Sequence, residues 1–111
     1  MNKCARIEMK LRIPSDSSNF RKSGEWFRKE FIVKQWNNTD KFIFDFENRA
    51  VASVSFLDEA FAKLFLEFPQ EEVMHKLYKF ERIVTIDKEL LKEVIKVRIA
   101  ENNFKNRIGI K

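Results

Sequence analysis

Cysteine, histidine, glycine and proline are all scarce in this chain of 111 residues, which has one Cys, one His, two Gly and two Pro. Because Cys4 is the single cysteine, no disulfide can form within the chain. Cys4 and His75 are too few for a structural zinc site, so we predict no bound metal. Gly24 and Gly109 are too far apart for a Walker loop or a dinucleotide-binding turn, each of which needs several glycines close together.

Long apolar runs are also missing. No segment approaches the ~20 apolar residues of a membrane-spanning helix, and the amino-terminal residues lack the apolar stretch of a signal peptide. We therefore predict a cytoplasmic protein with no membrane association. The shortage of turn residues argues against an all-β sandwich or barrel, so helices should contribute heavily. With 44% hydrophobic residues the chain can form one compact core, and residues 1–111 are expected to be a single small domain.

Alternating apolar residues predict three strands. Residues 6–13 alternate strictly, residues 41–47 place three phenylalanines on one side, and residues 76–80 alternate more weakly. The three phenylalanines indicate a central strand with at least one covered face.

Helical periodicity occupies the segments between and after these strands. Apolar residues recur at helical spacing over residues 20–34, over residues 55–68, and in a final helix that Thr85 or Asp87 can cap and that ends near Asn103. Strands that alternate with helices favour a sheet with parallel neighbours and right-handed crossovers. The sequence therefore predicts the α/β class.

The net charge of +5 is unevenly distributed. Residues 1–40 contain nine Lys or Arg against five Asp or Glu, residues 41–72 three against seven, and residues 73–111 ten against five. Basic flanks around an acidic middle are typical of a protein that steers a charged partner, and equally of two solvated basic helices.

The basic carboxyl-terminal third makes nucleic-acid binding the alternative function. Cations in and beyond the last helix can neutralise phosphates, although no helix-turn-helix signature is present. The candidate phosphate ligands are Lys88, Lys92, Lys96, Arg98, Lys105 and Arg107.

No combination of nucleophile, base and metal ligands predicts an enzyme. The adjacent carboxylates Asp58 and Glu59 point about 100° apart on a helix, and negative charge near a helix amino terminus is favourable without any ligand. We therefore expect a protein that binds another protein and catalyses no reaction.

The acidic middle contains the most specific motif of the chain. Asp45-Phe46 ends the second strand, and Ser55-Phe56-Leu57-Asp58-Glu59 leads into the following helix. In these residues, and in the placement of Gly24 and Arg28, the chain resembles the STAS-like domain family of unknown function. That family is related to the sulphate transporter and anti-sigma factor antagonist domains. The resemblance is strongest over residues 41–68.

The resemblance implies a mixed sheet of about four strands flanked by helices, no cofactor, and a regulatory role in the cytoplasm through protein–protein binding. It also implies a kinase-like ATPase as the partner. By position, Ser55 corresponds to the serine that is phosphorylated in the antagonists. The implied partner-binding residues are Ser53, Ser55, Asp58 and Glu59.

Ser55 has two interpretations. The antagonists have Asp-Ser-Ser-Gly where this chain has Ser53-Val54-Ser55-Phe56, so the preceding acid and the following glycine are missing. Ser55 and Asp58, three residues apart, also approximate a capping box, in which polar side chains satisfy the free backbone N–H groups of a helix start. Ser55 is therefore either a phosphorylation switch or a helix cap.

Overall fold

The computed structural model describes residues 3–9 and 19–107, with side chains up to residue 104. Its centre is a parallel sheet of three strands in the order β1-β2-β3. These strands are β1 (Cys4–Glu8), β2 (Lys41–Asp45) and β3 (Leu77–Glu81).

Helices connect the strands and pack beside the sheet. The first, α1 (Phe20–Phe27), continues through a π turn (Arg28–Ile32) into a 3-10 segment (Val33–Asn38). After β2, α2 (Val54–Leu57) likewise continues into a π turn (Asp58–Ala62). The remaining helices are α3 (Leu64–Glu67), α4 (Gln70–Lys76) and α5 (Thr85–Arg107).

The predicted α/β class and parallel strand neighbours are confirmed, whereas the mixed sheet of about four strands is wrong. Within residues 3–9 and 19–107 the sheet has three strands, and both strand pairs are parallel. The fourth strand was implied by the family resemblance alone, since the apolar alternation accounts for only three. Residues 10–13 of the predicted first strand lie outside the described residues.

The apolar core lies between one face of the sheet and the helices. Phe42, Phe44 and Phe46 are fully buried, as predicted for a covered strand. The Phe44 ring centroid lies 6.1 Å from that of Phe27 and 4.9 Å from that of Phe61, so both crossover helices pack on the same strand. The opposite sheet face carries exposed polar residues of β1 and β3, so apolar burial by the sheet is concentrated on one face.

None of the helices in the described part of the chain combines the length and the apolar character needed to cross a membrane.

Gly24 allows α1 to approach α2 and its π turn closely. A Cβ atom at position 24 would lie 2.8 Å from Glu59 Cβ, 2.8 Å from the carbonyl oxygen of Phe56 and 3.3 Å from the amide nitrogen of Ala60. Two of these three atoms belong to the backbone and cannot rotate away. The contact between the two helices therefore requires glycine at this position for lack of space.

Replacing Gly24 by alanine should lower the free energy of unfolding by about 1–3 kcal/mol, because the helices must separate to admit the methyl group. Urea unfolding followed by circular dichroism measures the change. Ser23→Ala is the matched control on the same helix and should stay within about 0.5 kcal/mol of wild type. Equal urea midpoints for Gly24→Ala and Ser23→Ala would contradict the close approach of α1 to α2.

Candidate functional site

Asp45 joins all three strands at the carboxyl edge of the sheet. It is the last residue of β2, and its side chain is 2% exposed. Arg6 of β1 donates from Nη2 to Asp45 Oδ2 at 2.9 Å, and Arg82, directly after β3, donates from Nε to Oδ1 at 2.9 Å and from Nη2 to Oδ2. The backbone N–H of Glu47 donates to Oδ1 at 3.0 Å.

These contacts keep the Asp45 carboxylate ionised. The hydrogen bonds from Arg82 are the main cause that lowers the pKa of Asp45 to about 2. Burial opposes that shift, and the Glu47 N–H and Arg6 reinforce it. Because both of its oxygens accept hydrogen bonds from fixed donors, the Asp45 carboxylate connects the strands and is not available as a general base.

The backbone at the same edge is strained. Four non-glycine residues of the described part have positive φ, and all four lie in the segments that follow β2 and β3: Glu47 (53°), Asn48 (63°), Ala52 (49°) and Arg82 (49°). Each such residue costs on the order of 1–3 kcal/mol and persists only where its surroundings hold it.

A second buried carboxylate holds this loop. Asp87 in the first turn of α5 is fully buried and accepts from the backbone N–H groups of Val51 at 2.6 Å and Ala52 at 2.7 Å. The N–H of Asn48 donates to the carbonyl of Arg82 at 2.8 Å. Sequence reasoning considered Asp87 only as a cap of its own helix, because nothing local in the sequence indicates a partner 35 residues away.

Ser53, and not Ser55, caps α2. The Ser53 Oγ accepts from the N–H of Phe56 at 3.1 Å, and the helix begins at Val54. The predicted capping box of Ser55 and Asp58 is therefore wrong, because the residue that caps the helix lies two positions earlier, at Ser53. Ser55 lies in the first turn, half-buried, next to Val54, whose side chain is exposed.

Asp58 connects α2 to α5 through a two-point ion pair. Arg98 donates from Nε to Asp58 Oδ1 at 2.8 Å and from Nη2 to Oδ2 at 2.6 Å. Hydrogen bonding to Asp58 raises the pKa of Arg98 above its ordinary value. Asp58, a predicted partner-binding residue, and Arg98, a predicted phosphate ligand, thus engage each other.

Glu59 lies inside the seam between α1 and α2. Its side chain is 4% exposed and accepts from Arg21 and Lys63 at 2.9 Å each and from Arg28 at 3.3 Å. Burial acts to raise the pKa of Glu59, but the hydrogen bonds from Lys63, Arg28 and Arg21 outweigh it and hold that pKa below its usual value. Arg28 also donates to the backbone carbonyl of Glu59.

The four predicted partner-binding residues therefore fall into two groups. Ser53 and Glu59 are buried and bonded internally, whereas Ser55 and Asp58 remain partly exposed on one surface. A partner can reach only the second group without unpacking α2. Their role in partner binding stays a prediction.

Asp58 lines a shallow apolar groove of about 360 Å³ between α2 and α5, and Ser55 directly follows another lining residue, Val54. Two of its lining residues, Val54 and Val97, are 53% and 54% exposed. We call Val54, Ser55, Asp58 and Val97 the α2–α5 face. Sequence reasoning missed both valines, because at helical spacing an exposed valine is indistinguishable from a core valine.

The predicted phosphate ligands of α5 also differ in how accessible they are. Lys105 and Arg107 belong to its last turn, and their side chains lie outside the described part. Arg98 is paired with Asp58. The exposed cations are Lys88, Lys92 and Lys96.

Within residues 3–9 and 19–107, no group of three or more His, Cys, Asp or Glu side chains is placed to hold a metal ion.

Sheet, crossover helices and capped loop together define a small α/β domain. The family model of the STAS-like domain of unknown function (DUF4325) matches residues 23–81, which is more than half of the chain. The chain therefore belongs to this STAS-like family, as its motifs predicted. No curated protein and no solved structure matches the chain. The matched range ends at the last residue of β3, so α5 lies beyond it.

Asp45→Asn should lower the free energy of unfolding at neutral pH by about 1.5–3 kcal/mol, because charged hydrogen bonds to two arginines are weakened. The pKa of Asp45 is about 2 in the folded chain and 3.8 ordinarily, so its contribution is complete above about pH 4 and is lost as pH falls towards 2. The difference between variant and wild type should shrink over that range.

Urea unfolding at several pH values measures this difference. Glu25→Gln, at an exposed carboxylate paired with Lys29, is the control and should change stability little. If the difference in the free energy of unfolding between wild type and Asp45→Asn does not vary with pH, the ionised Asp45 carboxylate does not stabilise the fold as described.

Proposed function

We propose that this chain is a non-enzymatic, cytoplasmic protein-binding module that recognises a regulatory partner through the α2–α5 face. The observation that carries the proposal is the strained loop between β2 and α2, which two buried carboxylates hold in place. Backbone strain of this kind is concentrated at functional sites, where it pre-organises a binding surface.

The held loop fixes the position of Val54 and Ser55. Because Ser53 satisfies the start of α2 and Asp87 fixes Val51 and Ala52, the chain on the amino-terminal side of Val54 has little freedom. A pre-organised surface loses less conformational entropy on binding, which favours affinity.

The chemistry of the α2–α5 face suits a protein partner. Val54 and Val97 offer exposed apolar area, and Ser55 and Asp58 provide polar groups beside it, which is the composition of an apolar centre with a polar rim. The relation of the STAS-like family to anti-sigma factor antagonists supports a kinase-like ATPase as the partner class.

Ser55 is the residue through which such binding would be regulated. The Ser55 hydroxyl forms no hydrogen bond with another described residue, because the side chain that caps α2 is that of Ser53. A phosphate on Ser55 would add about −1.5 to −2 charges beside Asp58, in the first turn of α2. The charge favours the helix start but changes the surface that a partner meets.

A pair of variants separates binding from folding. Val54→Glu should abolish capture of the partner from a lysate of the native host while the melting temperature stays unchanged, because the side chain is exposed. Ser53→Ala should lower the free energy of unfolding by about 1 kcal/mol and leave capture intact, because only the cap is lost. Quantitative mass spectrometry measures the captured proteins and the phosphorylation of Ser55. Equal capture by wild type and Val54→Glu would reject the α2–α5 face.

Nucleic-acid binding is the second candidate, supported by the exposed side chains of Lys88, Lys92 and Lys96. Arg98 contributes little to it, because its guanidinium is paired with Asp58. Titration of a labelled oligonucleotide at two salt concentrations distinguishes the functions, since phosphate neutralisation weakens steeply with salt. Under the proposed function the affinity at physiological salt is negligible.

A further inference from the structure

A second groove lies between β3 and α5, on a different part of the surface from the α2–α5 face. Its volume is about 900 Å³, and its lining comes entirely from β3, the connection after it and α5. We call it the β3–α5 groove. Its apolar lining consists mainly of Phe80, Ile83, Leu91, Ile95 and Ile99.

The groove adjoins an edge strand. In the described part of the chain β3 pairs with β2 alone and ends the sheet. The outer edge of such a strand presents backbone N–H and C=O groups that can pair with an added strand. An extended segment placed there would direct alternate side chains towards α5 and into the groove.

The charge of the groove is of one sign. Lys88, Lys92 and Lys96 form a row at i, i+4 and i+8 on α5, Arg82 adds a fourth cation, and no Asp or Glu is among the lining residues. Among the described residues no carboxylate forms an ion pair with these three lysines, whereas Arg82 is paired with Asp45. Like charges at this spacing destabilise a helix slightly.

The charges of the chain itself do not complement the groove. The undescribed segments 10–18 and 108–111 together carry Lys10, Arg12 and Lys111 against one acid, Asp16. A second copy also has a net charge of +5, and its own edge strand β1 carries one cation and one anion. The complementary occupant is therefore an acidic segment from another protein.

We propose that the β3–α5 groove binds an extended, acidic segment of a protein partner, which adds to β3 as a fourth strand. Apolar side chains of that segment enter the groove. Its carboxylates meet the lysine row at the rim and exposed Lys79 on the other sheet face. The site shares no residue with the α2–α5 face, so an experiment can reject the proposal for one site without affecting the proposal for the other.

Peptide display supplies the probe for this site. A library of random dodecapeptides is selected on the immobilised full chain, and the enriched peptides should alternate Asp or Glu with apolar residues. An enriched peptide, labelled and titrated in solution, should bind the variant Lys88→Glu/Lys92→Glu/Lys96→Glu at least about tenfold more weakly, because the cations that attract it are reversed.

The matched control is Lys22→Glu/Lys29→Glu/Lys34→Glu, which changes net charge equally on the first helical stretch and should keep the affinity within about twofold. Hydrogen exchange of the complex should show new protection of the amides of Leu77–Glu81. Selection of no acidic alternating sequence, or equal loss of affinity in both triple variants, would overturn the proposal.

The remaining outcomes identify other occupants and also overturn it. Protection confined to α5, without β3, would show a helical occupant that does not extend the sheet. A wild-type dimer that the α5 triple variant converts to monomer, seen by sedimentation, would identify a second copy. Displacement of the peptide by a single-stranded oligonucleotide at physiological salt would assign the lysine row to nucleic acid.

Discussion

The ionised carboxylate of Asp45 is the interaction on which this structure depends. A three-stranded parallel sheet has few backbone hydrogen bonds, and here one side chain connects β1, β2 and the residue after β3 at a single edge. The same carboxylate accepts from Glu47 and so begins the strained loop that Asp87 completes. Two separate carboxylates, Asp45 and Asp87, thus hold the edge of the sheet and the loop before α2.

The residues that define the family motif are largely committed to this architecture. Gly24 provides the space for two helices to touch, Glu59 neutralises buried Arg28 between them, and Asp58 holds α5 through Arg98. The carboxylates of Glu59 and Asp58 are thus paired with arginines within the fold. The α2–α5 face that we propose for partner binding combines Ser55 and Asp58 of the motif with Val54 and Val97, and α5 supplies Val97 from beyond the matched range.

Much of the fold could be predicted from the sequence, because it depends on local periodicity. The alternating phenylalanines of residues 42–46 identified the central strand and its buried face, and helical spacing identified the helices on either side. Boundaries were less accurate where a polar residue had two possible uses. Ser55 was the predicted cap, whereas the path of the preceding loop makes Ser53 the cap.

The class of the fold, its covered strand and its family could be predicted from the amino-acid sequence, since these follow from patterns within a few residues of one another. The number of strands in the described sheet, the burial of Glu59, the role of Asp87 and the exposure of Val54 became apparent only in the folded chain. Each of these depends on which distant segment lies opposite a side chain. Hydrophobic periodicity contains no information about that pairing, because it records which residues avoid water and not which residues meet.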